Sequence, residues 1–154
     1  MIHAWRIVKA RHADTALDGE GARLFGGRWN SPGSPMVYSA GNAALAALEM
    51  LVHLSRGAAL PAYVLIGCSF DQARVFHLDR SRLPEHWRSY PAPPELQQIG
   101  DEWCMSRRSV VLEVPNVIIP TDSNYLLNPQ HPDFSSIRVS KPEPFEFDLR
   151  LLRT

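Results

Sequence analysis

The chain has 154 residues, of which 45% are apolar and 21% charged, and its sixteen basic side chains balance sixteen acidic ones. That length holds one ordinary domain, and the composition is that of a folded globular protein, excluding disordered and fibrous classes. Zero net charge excludes the broad positive field that draws most nucleic-acid binders to a phosphate backbone, although a local basic cluster is still allowed.

In chain order, residues 4–8 read as a first strand. Residues 9–35, rich in Gly, Asp and Ser without a sustained period, read as a long loop, and such loops are more often functional than idle because ordering them costs entropy. Residues 36–40 (Met-Val-Tyr-Ser-Ala) form a second strand that feeds almost directly into a helix. Asn42 is the expected N-cap of that helix, its apolar run continues to about Arg56, and Gly57 is the expected stop. Residues 63–68 and 73–78 predict two more strands.

Pro84, Pro91, Pro93 and Pro94 forbid a long helix across residues 81–94, which reads as a surface excursion. Pro94 suits the first turn of a second helix that ends near Arg107, with Leu96, Ile99 and Trp103 on one face. Residues 109–114 and 116–119 read as two strand pieces parted by Pro115, and residues 125–127 as another short strand. A loop follows over 128–132, and residues 137–139 and 145–149 close the chain as strands. Without regular βαβ alternation, this order predicts a single α+β domain over residues 1–154, built on a mixed, mostly antiparallel sheet with flanking helices.

No apolar run reaches the length of a membrane span, and the opening Met-Ile-His-Ala-Trp-Arg lacks the plan of a signal peptide, so the cytoplasm is the expected location. In that reducing setting Cys68 and Cys104 read as small buried hydrophobes. The six histidines show no zinc-ligand spacing, and no metal is expected.

Chemistry concentrates at a few positions. Glu49 is the only acidic residue across residues 42–56 and falls beside Leu45, Leu48 and Val52 on the apolar stripe of the first helix, where a carboxylate is expensive without a partner or a task. The alternative is a rim glutamate that reaches water. Arg28, in Gly-Gly-Arg-Trp-Asn, has a planar fork suited to two phosphate oxygens, or it is a solvated loop arginine stacked on Trp29. Tyr38 offers a ring to stack on a heterocycle, or is a half-buried core tyrosine. Ser109 heads an apolar strand, where it binds a ligand or caps a turn. No nucleophile elbow surrounds Ser109, and neither a dinucleotide fingerprint nor a P-loop is present.

Taken together, Gly-Gly-Arg-Trp-Asn, Met-Val-Tyr-Ser-Ala, Ala-Leu-Glu-Met-Leu-Val-His, Arg-Ser-Val-Val-Leu-Glu-Val-Pro and Asn-Tyr-Leu-Leu-Asn-Pro-Gln-His-Pro resemble the RES-domain family, named for an arginine, a glutamate and a serine. The segments keep the family's order from Trp5 to about Val139. The resemblance implies a fold similar to ADP-ribosyltransferase toxins and carries the family's residues to Arg28, Tyr38, Glu49 and Ser109. At Asn116 many relatives have serine, a departure expected to be tolerated.

The resemblance further implies a toxin of a toxin-antitoxin system that cleaves the nicotinamide-ribose bond of NAD+, its substrate, and depletes the cellular pool. Arg28 and Arg6 would hold the diphosphate, Tyr38 would pack the nicotinamide ring, Glu49 would face the ribose, and Ser109 and Asn124 would fix polar atoms of the nucleotide. The implied partner is an Xre-type helix-turn-helix antitoxin that blocks the active site in an oligomeric complex, with nucleic acid reached only through that antitoxin and no membrane contact. Two rival readings are transfer of ADP-ribose to a protein or nucleic acid, and a non-catalytic protein-binding module. An RNA-cutting or nucleic-acid-binding version of the latter is disfavoured by the zero net charge.

Overall fold

Runs of β-branched and aromatic residues, punctuated by glycine and proline, build eight strands among the described residues of a computed structural model, 1–54 and 59–152. They are β1 (Ile2–Lys9), β2 (Val37–Ala40), β3 (Tyr63–Phe70), β4 (Val75–His77), β5 (Val111–Pro115), β6 (Ser123–Leu127), β7 (Arg138–Val139) and β8 (Glu143–Phe145). The sheet runs β4-β5-β6-β2-β1-β3-β7, with β8 also on β3. β4 and β5 are parallel and the other pairs antiparallel, which is the mixed α+β sheet expected from the element order.

Because side chains alternate along a strand, the register assigns the faces. Trp5 opposes Ala40, Ala40 opposes Asn124 and Asn124 opposes Val114, so all four share one face. Two helices cover it. α2 (Ala43–Leu51) packs Leu45 and Ala46 against Ile7 and Ala40, while α3 (Pro94–Ser106) packs Leu96, Ile99 and Trp103 against Leu112, Val114 and Leu126. The opposite face buries Ala4, Val37, Cys68, Phe70, Val111 and Leu127 beneath Leu17, Phe134 and Ile137.

Several elements depart from the reading of the chain. Residues 9–35 are not wholly loop: a 3-10 turn (Ala10–Thr15) and a short helix α1 (Glu20–Phe25) lie within them. With six residues bracketed by left-handed Gly19 and Gly26, α1 is too short to display a period and buries no residue fully. Asn42 does cap α2, its side chain accepting the Leu45 N–H at 2.7 Å. The helix nevertheless ends at Leu51, where the bonds His53 N–H to Met50 C=O and Leu54 N–H to Leu51 C=O tighten the chain into turns and leave Val52 exposed. The expected stop at Arg56 and Gly57 falls outside the described residues.

Residues 116–119 form a turn rather than a strand, because the Asn116 side chain takes backbone N–H groups that a neighbouring strand would otherwise need. Residues 73 and 74 belong to a 3-10 turn (Gln72–Arg74), which shortens the expected strand to β4. The final strand sits earlier than expected, at β8, and residues 149–152 turn as a 3-10 helix whose Leu152 packs beside α2.

α3 meets the loop after α1 at close range. A Cβ on Gly100 would stand 1.7 Å from the Trp29 carbonyl oxygen, so only glycine allows the helix to approach this loop. Gly100→Ala should therefore destabilise the protein by about 3 kcal/mol or more, since the obstacle is backbone and cannot swing away. Urea unfolding would show this as a lower midpoint, and a midpoint like that of the native chain would mean that the loop is free to retreat.

Candidate active site

Glu49 lies in the last turn of α2, half-buried above the sheet face that carries Asn124. Its Oε1 accepts two side-chain amide protons, from Asn116 Nδ2 at 2.6 Å and from Asn124 Nδ2 at 2.8 Å. Asn116 Nδ2 also donates to Asn124 Oδ1 at 3.0 Å, and Asn116 Oδ1 accepts the Ile118 and Ile119 N–H groups at 2.8 and 2.9 Å. Asn116 is completely buried and Asn124 nearly so. Glu49 Oε2 accepts no hydrogen bond among the described residues. One oxygen is thus fixed by neutral donors while the other is left open to a ligand.

A second unit is the loop that carries Arg28. Its hub is Asn30, fully buried, whose Nδ2 donates to the carbonyls of Ala22, Ser34 and Ser31 and whose Oδ1 accepts from the Tyr38 hydroxyl at 2.5 Å. The Tyr38 oxygen in turn accepts the Trp29 N–H at 3.0 Å. Gly27 must be glycine here, because a Cβ would lie 2.6 Å from that oxygen. From α3, Gln97 donates to the Gly27 and Asn30 carbonyls, and Asp101 accepts the Ser31 N–H.

On this braced loop Arg28 is half-buried, and its Nη1 donates to the carbonyls of Trp87 and Ser89 at 3.0 and 3.2 Å. Its Nε and Nη2 donate to no described residue and remain available as an edge. Burial lowers the pKa of the guanidinium, and nearby Glu49 and Tyr38 act in the opposite sense, so the carboxylate lies within electrostatic reach of this cation. Burial likewise pushes the Tyr38 phenol well above its ordinary range, only partly offset by the Trp29 N–H.

Arg28, Tyr38, Glu49 and Asn124 are therefore brought to one face of the sheet. Arg6 and Ser109 are not brought to the carboxylate. Arg6 alternates with Trp5 and Ile7 on β1 and so projects from the other face, where Nε donates to the Ala16 carbonyl and Nη1 to that of Tyr38, both at 2.9 Å. Ser109 precedes β5, roughly 20 Å of extended chain from Asn116. Its hydroxyl accepts from Trp103 Nε1 and donates to the Val111 carbonyl, both at 2.8 Å, and so ties α3 to the sheet.

Asn30 and Asn116 are central residues that periodicity and motif mechanics did not single out. Asn30 stood inside a quoted motif, and Asn116 interrupted an apolar run, which was the available signal. Two surface hollows lie elsewhere, one of about 240 Å³ bordered by Phe76, Arg82, Glu102 and Arg108, the other of about 300 Å³ beside Trp5 and Arg138. Among the described residues no three His, Cys, Asp or Glu side chains gather as metal ligands, and no helix is long and apolar enough to cross a membrane.

A family model described as the RES domain matches residues 3–148. The Toxin Res of Yersinia enterocolitica is 38% identical over 148 residues, covering 96% of this chain and 97% of that protein. The Prs ADP-ribosylating toxin of Sphingobium sp. is 36% identical over 155 residues, covering 97% of this chain and 96% of that protein. Among solved structures, a chain in the crystal structure of the M. tuberculosis MbcT-MbcA toxin-antitoxin complex superposes with a TM-score of 0.74 at 21% identity, covering 94% of this chain and 84% of that one. At that identity the likeness shows the fold alone.

The Tyr38 bonds make the site sensitive to alkali. A phenol whose folded pKa lies above its unfolded value of about 10 contributes stability that is complete below pH 10 and is lost as pH rises toward the folded value. Tyr38→Phe should cost about 1–2 kcal/mol at pH 7, because Asn30 Oδ1 and the Trp29 N–H lose their partner. Above about pH 10 the urea midpoint of the native protein should fall more steeply than that of the variant. Burial also raises the Cys68 and Cys104 thiols, to about 11 and about 12, and the variant keeps both, so the difference between the curves reports on the phenol, and parallel curves would show that it titrates freely.

Proposed function

The chain belongs to the RES-domain family, and from that premise we propose that it is the toxin of a toxin-antitoxin system that breaks the nicotinamide-ribose bond of NAD+. The observation that carries this reading is the Glu49 carboxylate, held through Oε1 by two buried amides on the same face of the sheet from which Tyr38 pegs the Arg28 loop. A fixed anion beside a fixed cation suits a substrate that combines a ribose on the way to a cation with a diphosphate.

In this reading the free edge of Arg28 grips the diphosphate, and its Nη1 stays pinned to the chain. The Tyr38 ring packs the nicotinamide while its hydroxyl keeps the loop in place. When the C1'–N bond breaks, the electron pair leaves with nicotinamide, which departs neutral, and positive charge builds on the ribose at C1'. Glu49 Oε2 faces that charge, so the carboxylate is worth more in the transition state than in the ground state. Water then attacks C1' and loses a proton, giving ADP-ribose.

Asn124 acts in this scheme by orienting Glu49, and Arg6 and Ser109 maintain the frame rather than touch the nucleotide. The whole chain serves as one domain that works in the cytoplasm. Its activity is restrained by an Xre-type helix-turn-helix antitoxin that covers the site in an oligomeric complex, a partner supported by the toxin-antitoxin complex that shares the fold. A second reading, transfer of ADP-ribose to a macromolecule, is favoured by the name of the Sphingobium relative and differs only in the nucleophile at C1'.

Purified chain incubated with NAD+ should release nicotinamide. Glu49→Gln keeps the shape and the Asn contacts but removes the charge, and should lose about 3 kcal/mol of transition-state stabilisation, roughly a hundredfold in rate. Release at the native rate by this variant would remove Glu49 from the chemistry. Mass spectrometry separates the two readings: free ADP-ribose marks hydrolysis, and an ADP-ribose adduct on protein or nucleic acid marks transfer.

A further inference from the structure

The stretch between β4 and α3 adds no strand to the sheet and holds no regular element beyond its own 3-10 turn (Arg80–Arg82), yet it is tied down at both ends of the site. Leu83 and Trp87 pack against the α3 core. Arg80 Nη1 donates to the Pro120 carbonyl at 2.9 Å, Arg88 Nε to that of Val117 at 2.9 Å, and Arg88 Nη2 more weakly to that of Ile118 at 3.4 Å. These carbonyls belong to the turn whose Ile118 and Ile119 N–H groups end on Asn116, the residue that holds Glu49.

Around Arg88 the chain faces two ways. The carbonyls of its neighbours Trp87 and Ser89 accept from Arg28, while its own side chain reaches the Asn116 turn. A continuous path of hydrogen bonds therefore runs from the Glu49 carboxylate through Asn116, residues 117–118, Arg88 and the flanking carbonyls to the Arg28 guanidinium. Arg88 is the only side chain in that path that is exposed, so removing it opens no cavity and strands no buried charge.

We infer that Arg88 is a positioning residue, fixing the distance between Arg28 and Glu49 by tying the strand-to-helix connection to the Asn116 turn; this rests on the NAD+ reading given above. Without its side chain, Leu83, Trp87 and Arg80 still anchor the connection, but residues 88–90 lose their link to the turn. The acceptors of Arg28 Nη1 then shift relative to Glu49. Because Arg28 grips a diphosphate that does not change in the reaction, the loss falls on uniform binding, which raises KM more than it lowers kcat.

The test is a double-mutant cycle on the full chain with NAD+ as substrate and nicotinamide release as readout. Arg88→Ala should raise KM about fivefold to tenfold, leave kcat within about twofold, and leave Tm within a few degrees. In an Arg28→Ala background the same substitution should raise KM no further. An unchanged KM, a full additional rise without Arg28, or a Tm fall of more than a few degrees would each overturn the inference, the last by assigning Arg88 to stability. A native chain that releases no nicotinamide would overturn the NAD+ reading and this inference with it, whereas an active native chain with an indifferent Arg88→Ala would overturn this inference alone.

Discussion

The grip of two side-chain amides on one oxygen of Glu49 is the contact on which the geometry of the site depends. Asparagine donates a hydrogen bond without bringing a charge. A lysine or arginine in either position would hold the carboxylate as firmly but would cancel much of its field, and the anion would then have little to offer a developing cation. Burial of Asn116 and Asn124 makes the grip costly to break, since each amide released there would have to find water that the packed turn excludes. The same Asn116 closes the 116–119 turn through its carbonyl oxygen, so the orientation of the carboxylate and the shape of the adjacent loop are a single constraint.

The Arg28 loop obeys a similar logic with different parts. Asn30 satisfies carbonyls on three sides from within the loop, Tyr38 closes it from the sheet, and Gln97 and Asp101 close it from α3. Two glycines make the assembly sterically possible, Gly27 beneath the Tyr38 hydroxyl and Gly100 beneath the Trp29 carbonyl. A guanidinium on a free loop would forfeit ordering entropy each time it gripped a ligand, whereas here the ordering is complete before a ligand arrives. Tyr38, which motif mechanics offered as a stacking ring or a core residue, is in the structure first of all the peg of this loop.

What could be read from the chain follows from which signals are local. The Asn42 cap, the α3 stripe of Leu96, Ile99 and Trp103 and the strands with alternating burial are set by neighbours a few residues away, and they were legible. α1 was hidden because six residues between glycines, none of them fully buried, display no period, and the Leu51 end of α2 was hidden because its apolar composition runs on past the last helical hydrogen bond. Among the site residues, Arg28, Tyr38, Glu49 and Asn124 meet on one face. The surroundings of Arg6 and Ser109 were not legible for the same reason: nothing local shows that the partners of Arg6 are the Ala16 and Tyr38 carbonyls, or that Trp103 reaches the Ser109 hydroxyl. Asn116 illustrates the converse, a polar residue after a proline whose importance appears only once α2, packed on β1 and β2, brings Glu49 to its side chain.

A chain with no net charge has no broad long-range field, so on the proposed reading recognition of an anionic dinucleotide would have to be local. One half-buried guanidinium and one half-buried carboxylate sit on separate units, a loop braced by α3 and a helix end clamped by asparagines. The units meet through polar contacts rather than a shared apolar core, since α2 and α3 pack into different clusters on the same face of the sheet. Hydrogen bonds across the surface from residues 80–89 to residues 117–120 link the two units.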